Sequence, residues 1–410
     1  MRILVIHEVD FVTKVVYEWQ EFPEALARAG HDVCVLDYDS HSGWADLRRW
    51  GLGPKRTITS WRLDETTRFE LLRMIGPPIP GVRRIYAALA SWTVMRRVFA
   101  ECRPDAVLLY AVPTCGLAAV NAARRSGVPA LFRSIDVLSQ LVPRALGFGV
   151  DVLERAVYST CDGVLVANPR LTDYVHRMSG GTAKTSLLLS PIDTDLFTSS
   201  SHARSEVRNR YGIAPDARVV VFVGSLFRFI GLKRLLASWE HILSSVPDAH
   251  LLIVGGGPTE TRLRRIANRL SHPASVTFTG MRPYHEIPDL ISAADVGVCP
   301  FEITPVTSDV NPIKVMQYLS CAIPCVCTPL EGTIQVLPES ESGVLYASPG
   351  EDLARALAAL LSDASRRADL GAAGRRWVVD HHGLPALVQQ LAEALADAGG
   401  GHARATSASR

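Results

Sequence analysis

The stretch Asn311-Pro-Ile-Lys-Val-Met-Gln-Tyr-Leu-Ser-Cys-Ala-Ile-Pro-Cys-Val-Cys-Thr328 follows shortly after Asp295-Val-Gly-Val-Cys-Pro300. A short β-branched run, a polar loop, a helical stretch and a second β-branched run read as strand, loop, helix, strand. Such a unit implies parallel strands joined by a helical crossover. The loop opens on a helix N-terminus, where unpaired N–H groups and the positive end of the helix dipole face whatever binds. That arrangement suits an anion such as a diphosphate.

The same alternation extends along the whole chain and predicts an α/β protein with two parallel-sheet units. Strands of the first are expected near Arg2 to Ile6, Asp32 to Leu36, Ala106 to Tyr110, Ala130 to Ser134, Gly163 to Ala167 and Ser186 to Leu189. Those of the second are expected near Val219 to Val223, Leu251 to Val254, Val276 to Thr279, Val296 to Cys299, Cys325 to Cys327 and Val344 to Tyr346. Polar and turn-forming residues at Thr198-Ser-Ser-Ser-His202 and Ile213-Ala-Pro-Asp216 put the junction at about 195–215, with domains over 1–200 and 201–379. A ligand then belongs at the carboxyl ends of both sheets, in the cleft between the domains. The Gly-, Ala- and Ser-rich end, 398–410, reads as a disordered tail.

With 410 residues, 48% hydrophobic content and a net charge of +2, the chain has the makings of two ordinary cores, which excludes disordered and collagen-like classes. None of the eight cysteines stands in a CxxC pair, so buried reduced thiols and a cytoplasmic setting are expected. Met1-Arg-Ile-Leu-Val-Ile6 turns polar at His7-Glu8 and reads as a first strand rather than a signal peptide. No apolar run is long enough for a membrane span, and even Ala87 to Ala100 is broken by Arg96 and Arg97.

Several motifs occur in order: Gly30-His-Asp-Val-Cys-Val-Leu36, Asp193-Thr-Asp-Leu-Phe197, Val223-Gly-Ser225, Ile253-Val-Gly-Gly-Gly-Pro258, Phe278-Thr-Gly280 and Ala294-Asp295. Together with the opening stretch they resemble the retaining GT-B glycosyltransferases of the family-4 type (glycosyl transferases group 1). The resemblance covers nearly all of the chain outside residues 40–100. It implies two Rossmann-like domains facing across a cleft, an N-terminal acceptor domain, a C-terminal nucleotide-sugar domain, and a last helix (380–397) packing back on the first domain.

On the donor side the resemblance points to Gly224, Ser225, Arg228, Lys233, Gly280, Met281, Arg282, Asn311, Ile313, Lys314 and Gln317. The family's two glutamates seven residues apart correspond here to Asp309, near the transferred sugar, and Gln317, at the ribose. Gln317 can accept a ribose hydroxyl only as a neutral amide. Ser225 and Ile230 replace the family's phosphate-gripping Arg and Lys, leaving Arg228, Lys233 and Lys314 as substitutes. Lys314, one turn into the helix, is the preferred cation.

On the acceptor side His7, Glu8 and Asp10 end the first strand, and Ile135 stands where many members carry a histidine. Asp136 follows it and reads either as an acceptor base or hydroxyl ligand, or as a helix N-cap before Val137. Arg133 is its candidate ion partner, while Lys14 and Glu18 read as a solvated pair. Catalytic candidates are Asp136, Lys314 and Asp309.

Departure of a nucleoside diphosphate builds negative charge on phosphate, which helix N-termini and lysines stabilise. For the family, retention with the leaving phosphate taking the acceptor proton is implied. Asp193-Thr-Asp195 reads as the junction motif, so neither metal nor cofactor is expected beyond the UDP- or GDP-sugar donor.

Residues 41–103 hold twelve Lys or Arg against five Asp or Glu, with Trp44, Trp50, Trp61 and Trp92 among them. This fits an anionic acceptor, small or lipid-linked, or peripheral contact with the inner face of a membrane, and is a poor match to nucleic acid. Two alternatives stay open: an epimerase or hydrolase of nucleotide sugars on the same fold, and a weakly active nucleotide-sugar-binding partner of another transferase.

Overall fold

The computed structural model describes residues 1–14, 16–38, 51–60, 66–79, 82–110, 113–142 and 144–408, without the side chains of 141, 144–146 and 400–408. Trp44, Trp50 and Trp61 lie outside the described residues. The chain divides into two units, Met1–Pro191 with Leu384–Arg410, and Ile192–Gly383.

The first unit is built on β1 (Arg2–Ile6), β2 (Asp32–Tyr38), β3 (Gly51–Leu52), β4 (Arg56–Thr59), β5 (Arg68–Ile75), β6 (Ala106–Leu109), β7 (Ala130–Ser134), β8 (Gly163–Val166) and β9 (Thr185–Leu187). Its sheet order is β3-β5-β2-β1-β6-β7-β8-β9, parallel from β5 to β9. β3 and β4 both run antiparallel to β5. The parallel strands are apolar on both faces, as crossover helices require: Leu4, Ile6 and Val107 join one core, Ile3, Val5 and Leu108 the other. The edge formed by β3 to β5 is an addition to the six strands expected.

The helix Leu384–Ala408 belongs to this unit. Its Leu384, Leu387, Val388, Leu391 and Leu395 recur at helical spacing and are buried in the cluster that holds Ile3, Val5, Phe22 and Leu26. The helix continues to Ala408 rather than giving way to a disordered tail at 398.

In the second unit β10 (Arg218–Val223), β11 (Ala249–Val254), β12 (Val276–Gly280), β13 (Val296–Cys299), β14 (Cys325–Cys327) and β15 (Val344–Tyr346) form one parallel sheet, ordered β12-β11-β10-β13-β14-β15. All six strands fall where the hydrophobic runs placed them. The unit begins at Ile192, earlier than the polar segment suggested, because the intervening residues are bound into it. Ile192 N–H donates to the His382 carbonyl at 2.8 Å. Arg375 donates to the carbonyls of Thr194 at 3.0 Å and Phe197 at 2.8 Å, and also to that of Ser320. Asp193 Oδ1 accepts from the backbone N–H of Asp195 and Leu196, so this motif is a turn stapled by its own carboxylate.

The cysteine expectation needs correction. Cys34 on β2 and Cys102 at the end of the helix Val82–Cys102 are joined as a disulfide, Cα atoms 6.3 Å apart. They are 68 positions apart and meet only because that helix packs over its own side of the sheet. The other six are free thiols. Among the described residues no helix is long and apolar enough to cross a membrane.

Candidate functional site

At the carboxyl ends of β10, β11 and β12 the backbone crowds to a degree that only glycine permits. Gly255 has φ +134°, and a Cβ there would lie 2.1 Å from the Gly224 carbonyl oxygen. Gly257, at φ +159°, would meet Leu226 backbone at 2.7 Å. Leu226 N–H donates to Gly256 O at 3.0 Å, and Gly255 N–H to Gly280 O at 3.0 Å, which welds the three turns together. Gly231, at φ +70°, is pressed on the Pro300 carbonyl, 1.7 Å from where a Cβ would stand.

Against this platform starts the helix Ile313–Ser320, whose N-cap is Pro312 and which lacks any side-chain cap. Val315 N–H donates back to the Pro312 carbonyl at 3.0 Å, which leaves the N–H groups of Ile313 and Lys314 for a ligand. Lys314 is half-buried, with Nζ 4.8 Å from the Phe222 ring centre and 4.5 Å from that of Phe301. A Cβ on Gly224 would stand 3.0 Å from its Cε and Nζ, so the glycine makes room for the ammonium. Burial lowers its pKa below the ordinary lysine value, opposed by the neighbouring Cys299. Among the described residues Lys314 makes no ion pair. It is a cation seated on two aromatic faces and lacking a counter-ion.

Asn311, immediately before the helix, is 5% exposed, and neither its Oδ1 nor its Nδ2 has a partner. A buried amide left unsatisfied on both atoms is costly, on the order of 1–3 kcal/mol per group. Gln317 lies one turn beyond Lys314, buried, with no side-chain hydrogen bond to any described residue. Asp309 caps the short helix Pro305–Ser308, and its carbonyl oxygen is packed where a Gly332 Cβ would be, at 2.4 Å.

The remaining donor-side candidates scatter. Ser225 is half-buried beside Gly224. Arg228 is exposed between Phe227 and Phe229, whose rings stack at 5.7 Å, and Lys233 is exposed. Ile230 is core. Gly280 has φ +70° and Met281 is exposed, near Gly256, whereas Arg282 is occupied by an ion pair with Glu286.

In the first unit most candidates turn out to be engaged. Arg133 and Glu18 are both fully buried and paired, Nε to Oε1 at 2.7 Å and Nη2 to Oε2 at 2.8 Å. Arg133 also donates to Leu188 O at 2.6 Å, and Ser190 Oγ to Glu18 Oε2 at 2.7 Å. This corrects two expectations: Glu18 is not a solvated partner of Lys14, and Arg133 is neither a sugar ligand nor the partner of Asp136. An arginine on a strand buried on both faces needs a carboxylate, and Glu18 supplies it from the next layer.

Asp10 is likewise spent, accepting from the N–H groups of Val12 and Thr13 and from Arg73, each at 3.1 Å. Glu8 Oε1 accepts from Thr114 N–H at 2.7 Å, at the start of the helix Gly116–Arg125, and burial raises its pKa. His7 stacks on Tyr110 at 4.9 Å with Nε2 unpartnered, and burial pushes its pKa down to about 3. Asp136, half-buried just past β7, makes no hydrogen bond to described residues. It is not an N-cap either: the following 3-10 turn, Leu138–Leu141, starts from Val137 without a side-chain cap. Burial, and secondarily the charge of Glu18, push its carboxyl up to about 6.

Two family descriptions match the chain, Glycosyl transferase 4-like domain over residues 17–189 and Glycosyl transferases group 1 over residues 203–377. The chain belongs to this family. It is 31% identical over 207 residues to a GDP-mannose-dependent alpha-(1-6)-phosphatidylinositol monomannoside mannosyltransferase of Mycolicibacterium smegmatis, covering 50% of this chain and 54% of that one. The corresponding protein of Mycobacterium tuberculosis is 30% identical over 53% of this chain and 57% of its own. The chain thus spans about half the length of the curated relatives it matches in this way. An alpha-maltose-1-phosphate synthase of Mycolicibacterium smegmatis aligns more widely, over 78% of this chain and 86% of its own, at 24% identity. Among solved structures, Anabaena HepE in complex with UDP superposes with a TM-score of 0.73 at 17% identity, covering 97% of this chain and all of that one. Sucrose-phosphate synthase from Thermosynechococcus elongatus does so with a TM-score of 0.76 at 19% identity, covering 96% and 98%. The fold is GT-B.

Proposed function

We propose that this chain transfers a sugar from a UDP- or GDP-linked donor to a small or lipid-linked acceptor, retaining anomeric configuration and needing no metal. The observation that carries the reading is the uncompensated Lys314 ammonium beside the orphaned Asn311 amide, at an uncapped helix start. Charge that develops on the departing diphosphate meets Lys314 and the free N–H groups of the helix, which are preorganised for it. Asn311 satisfies its amide on phosphate or sugar oxygens, Gln317 accepts from a ribose hydroxyl, and Asp309 lies towards the transferred sugar. The leaving phosphate takes the acceptor proton, and Asp136, ionised above about pH 6, orients the acceptor hydroxyl. Relatives named for GDP-mannose and phosphatidylinositol acceptors, and a structural neighbour holding UDP, support these classes of substrate.

Thermal unfolding with UDP, GDP, TDP and ADP tests the reading. A nucleotide at roughly a hundred times its dissociation constant adds about 2.7 kcal/mol of stability. At least one of the four should raise the midpoint; no response to any sinks the proposal. The buried Ile230 and the neutral Gln317 favour a second reading, a nucleotide-sugar-binding partner with weak activity. Turnover by the purified single chain eliminates it.

A further inference from the structure

The helix Val82–Cys102 is apolar on two sides. Ala87, Val94, Met95 and Val98 are buried against the first unit, as packing requires. A second apolar stripe faces solvent: Val82, Ile85, Leu89 and Trp92 are exposed by 46, 64, 73 and 52%. Their spacing of three, four and three residues puts them on one line along the helix, roughly 15 Å long at 1.5 Å per residue. Isolated exposed leucines are ordinary, but a continuous stripe of large apolar side chains marks a contact surface.

The charge around this stripe has one sign. The helix carries Arg83, Arg84, Arg96 and Arg97 against a single acidic residue, Glu101. Arg83 donates to the Pro77 carbonyl at 2.9 Å and Arg84 pairs with Glu8 at 3.4 Å, which leaves the C-terminal pair to supply free positive charge. Arg96 and Arg97 are exposed and make no ion pair among the described residues. Trp92 and Arg96 also line, with Phe99, Ala118, Ala122 and Arg125, a cavity of about 330 Å³. Apolar side chains on a line, two free arginines at its C-terminal end and a tryptophan among them describe a helix lying in a bilayer interface. A second copy of the chain is a poor occupant, because a two-fold contact across this line would bring arginines against arginines.

We propose that the Val82–Cys102 helix docks on an anionic lipid surface, inserting Val82, Ile85, Leu89 and Trp92 while Arg96 and Arg97 meet lipid phosphates. The inference rests on the reading of a lipid-linked acceptor and gives that acceptor its place, at the membrane beside the first unit.

The test is co-sedimentation of the full chain with vesicles of phosphatidylcholine alone and of equimolar phosphatidylcholine and phosphatidylglycerol. The expected result is binding to the anionic vesicles, weakened by added salt, and little to the neutral ones. Ile85→Glu/Leu89→Glu should lower binding about tenfold or more through lost apolar burial. Arg96→Glu/Arg97→Glu should lower it by a similar factor and flatten its salt dependence, at about 1 kcal/mol per basic residue. Both pairs stand on an exposed surface, and unchanged thermal midpoints confirm that they fold. No binding by the wild-type chain, or equal binding by Ile85→Glu/Leu89→Glu, overturns the proposal. So does a dimer on size exclusion that Ile85→Glu/Leu89→Glu dissolves while vesicle binding is absent. Nucleotide-induced thermal shifts, read on the same variants, stay at the wild-type value, so that failure to dock and failure to bind donor are told apart.

Discussion

Arg133 Nε stands 2.7 Å from Glu18 Oε1 across 115 positions of sequence, and neither side chain is reached by solvent. Removing one partner of such a pair strands the other charge in the core, at about 3–5 kcal/mol. Arg133→Met and Glu18→Gln should each lower stability by that order in denaturant unfolding. The double variant should lose clearly less than the sum, and an additive result would show the pair is not coupled.

Lys314→Ala should slow transfer and weaken nucleotide binding together, by about 2–4 kcal/mol, with the thermal midpoint of the unliganded protein little changed. Gln317→Glu should hold or tighten binding, by about 1 kcal/mol, as a carboxylate replaces an amide at the ribose. Titration calorimetry with the nucleotide identified by thermal shift reads both. Full rate and full affinity in Lys314→Ala would displace the phosphate site.

Two glycines should separate binding from folding. Gly224→Ala pushes a methyl to 3.0 Å from the flexible end of Lys314, so the chain should fold with moderate strain yet bind nucleotide less well. In Gly231→Ala the methyl meets the Pro300 carbonyl at 1.7 Å, where only backbone can give way. Soluble expression and the thermal midpoint should fall much further for the second than for the first.

Acid should destabilise the first unit through His7. Its pKa is about 3 when folded and 6.5 when unfolded, so between these values the unfolded chain binds the extra proton. Stability is full above pH 6.5 and falls towards pH 3, by at most about 1.4 kcal/mol per pH unit for one proton. Asp136 works in the opposite sense: with its folded pKa raised to about 6, it favours folding at low pH and costs stability as pH rises from 3.8 towards 6. His7→Phe should flatten the acid limb of a stability–pH series; an unchanged limb would place the burial cost elsewhere.

The second sheet was legible because each strand is a short apolar run bounded by glycine or proline, and Lys314 and Gln317 were legible as a pair because helical period puts them on one face. The β3–β5 edge was hidden, since Arg56–Thr59 and Arg68–Ile75 mix charge with apolar residues, the first pairing with β5 and the second joining the sheet through β2. Glu18 was misread for a related reason. Nothing local distinguishes a glutamate that faces water from one that neutralises an arginine on a distant strand. Asn311 drew notice only as part of a motif, and its unsatisfied amide is a property of packing that no spacing encodes.

The order of synthesis gives the last helix a further meaning. Phe22, Leu26 and β1 bury their apolar side chains partly under Leu384 to Leu395, which the ribosome makes almost two hundred residues after β9. At 5–20 residues per second that interval is about 10–40 s. The second unit, contiguous from Ile192 to Gly383, is complete and free to fold before the first has all of its core. The earlier-made half of the protein is therefore the later to mature, and a chain truncated before Leu384 would present that uncovered groove to chaperones and proteases while its other half stood finished.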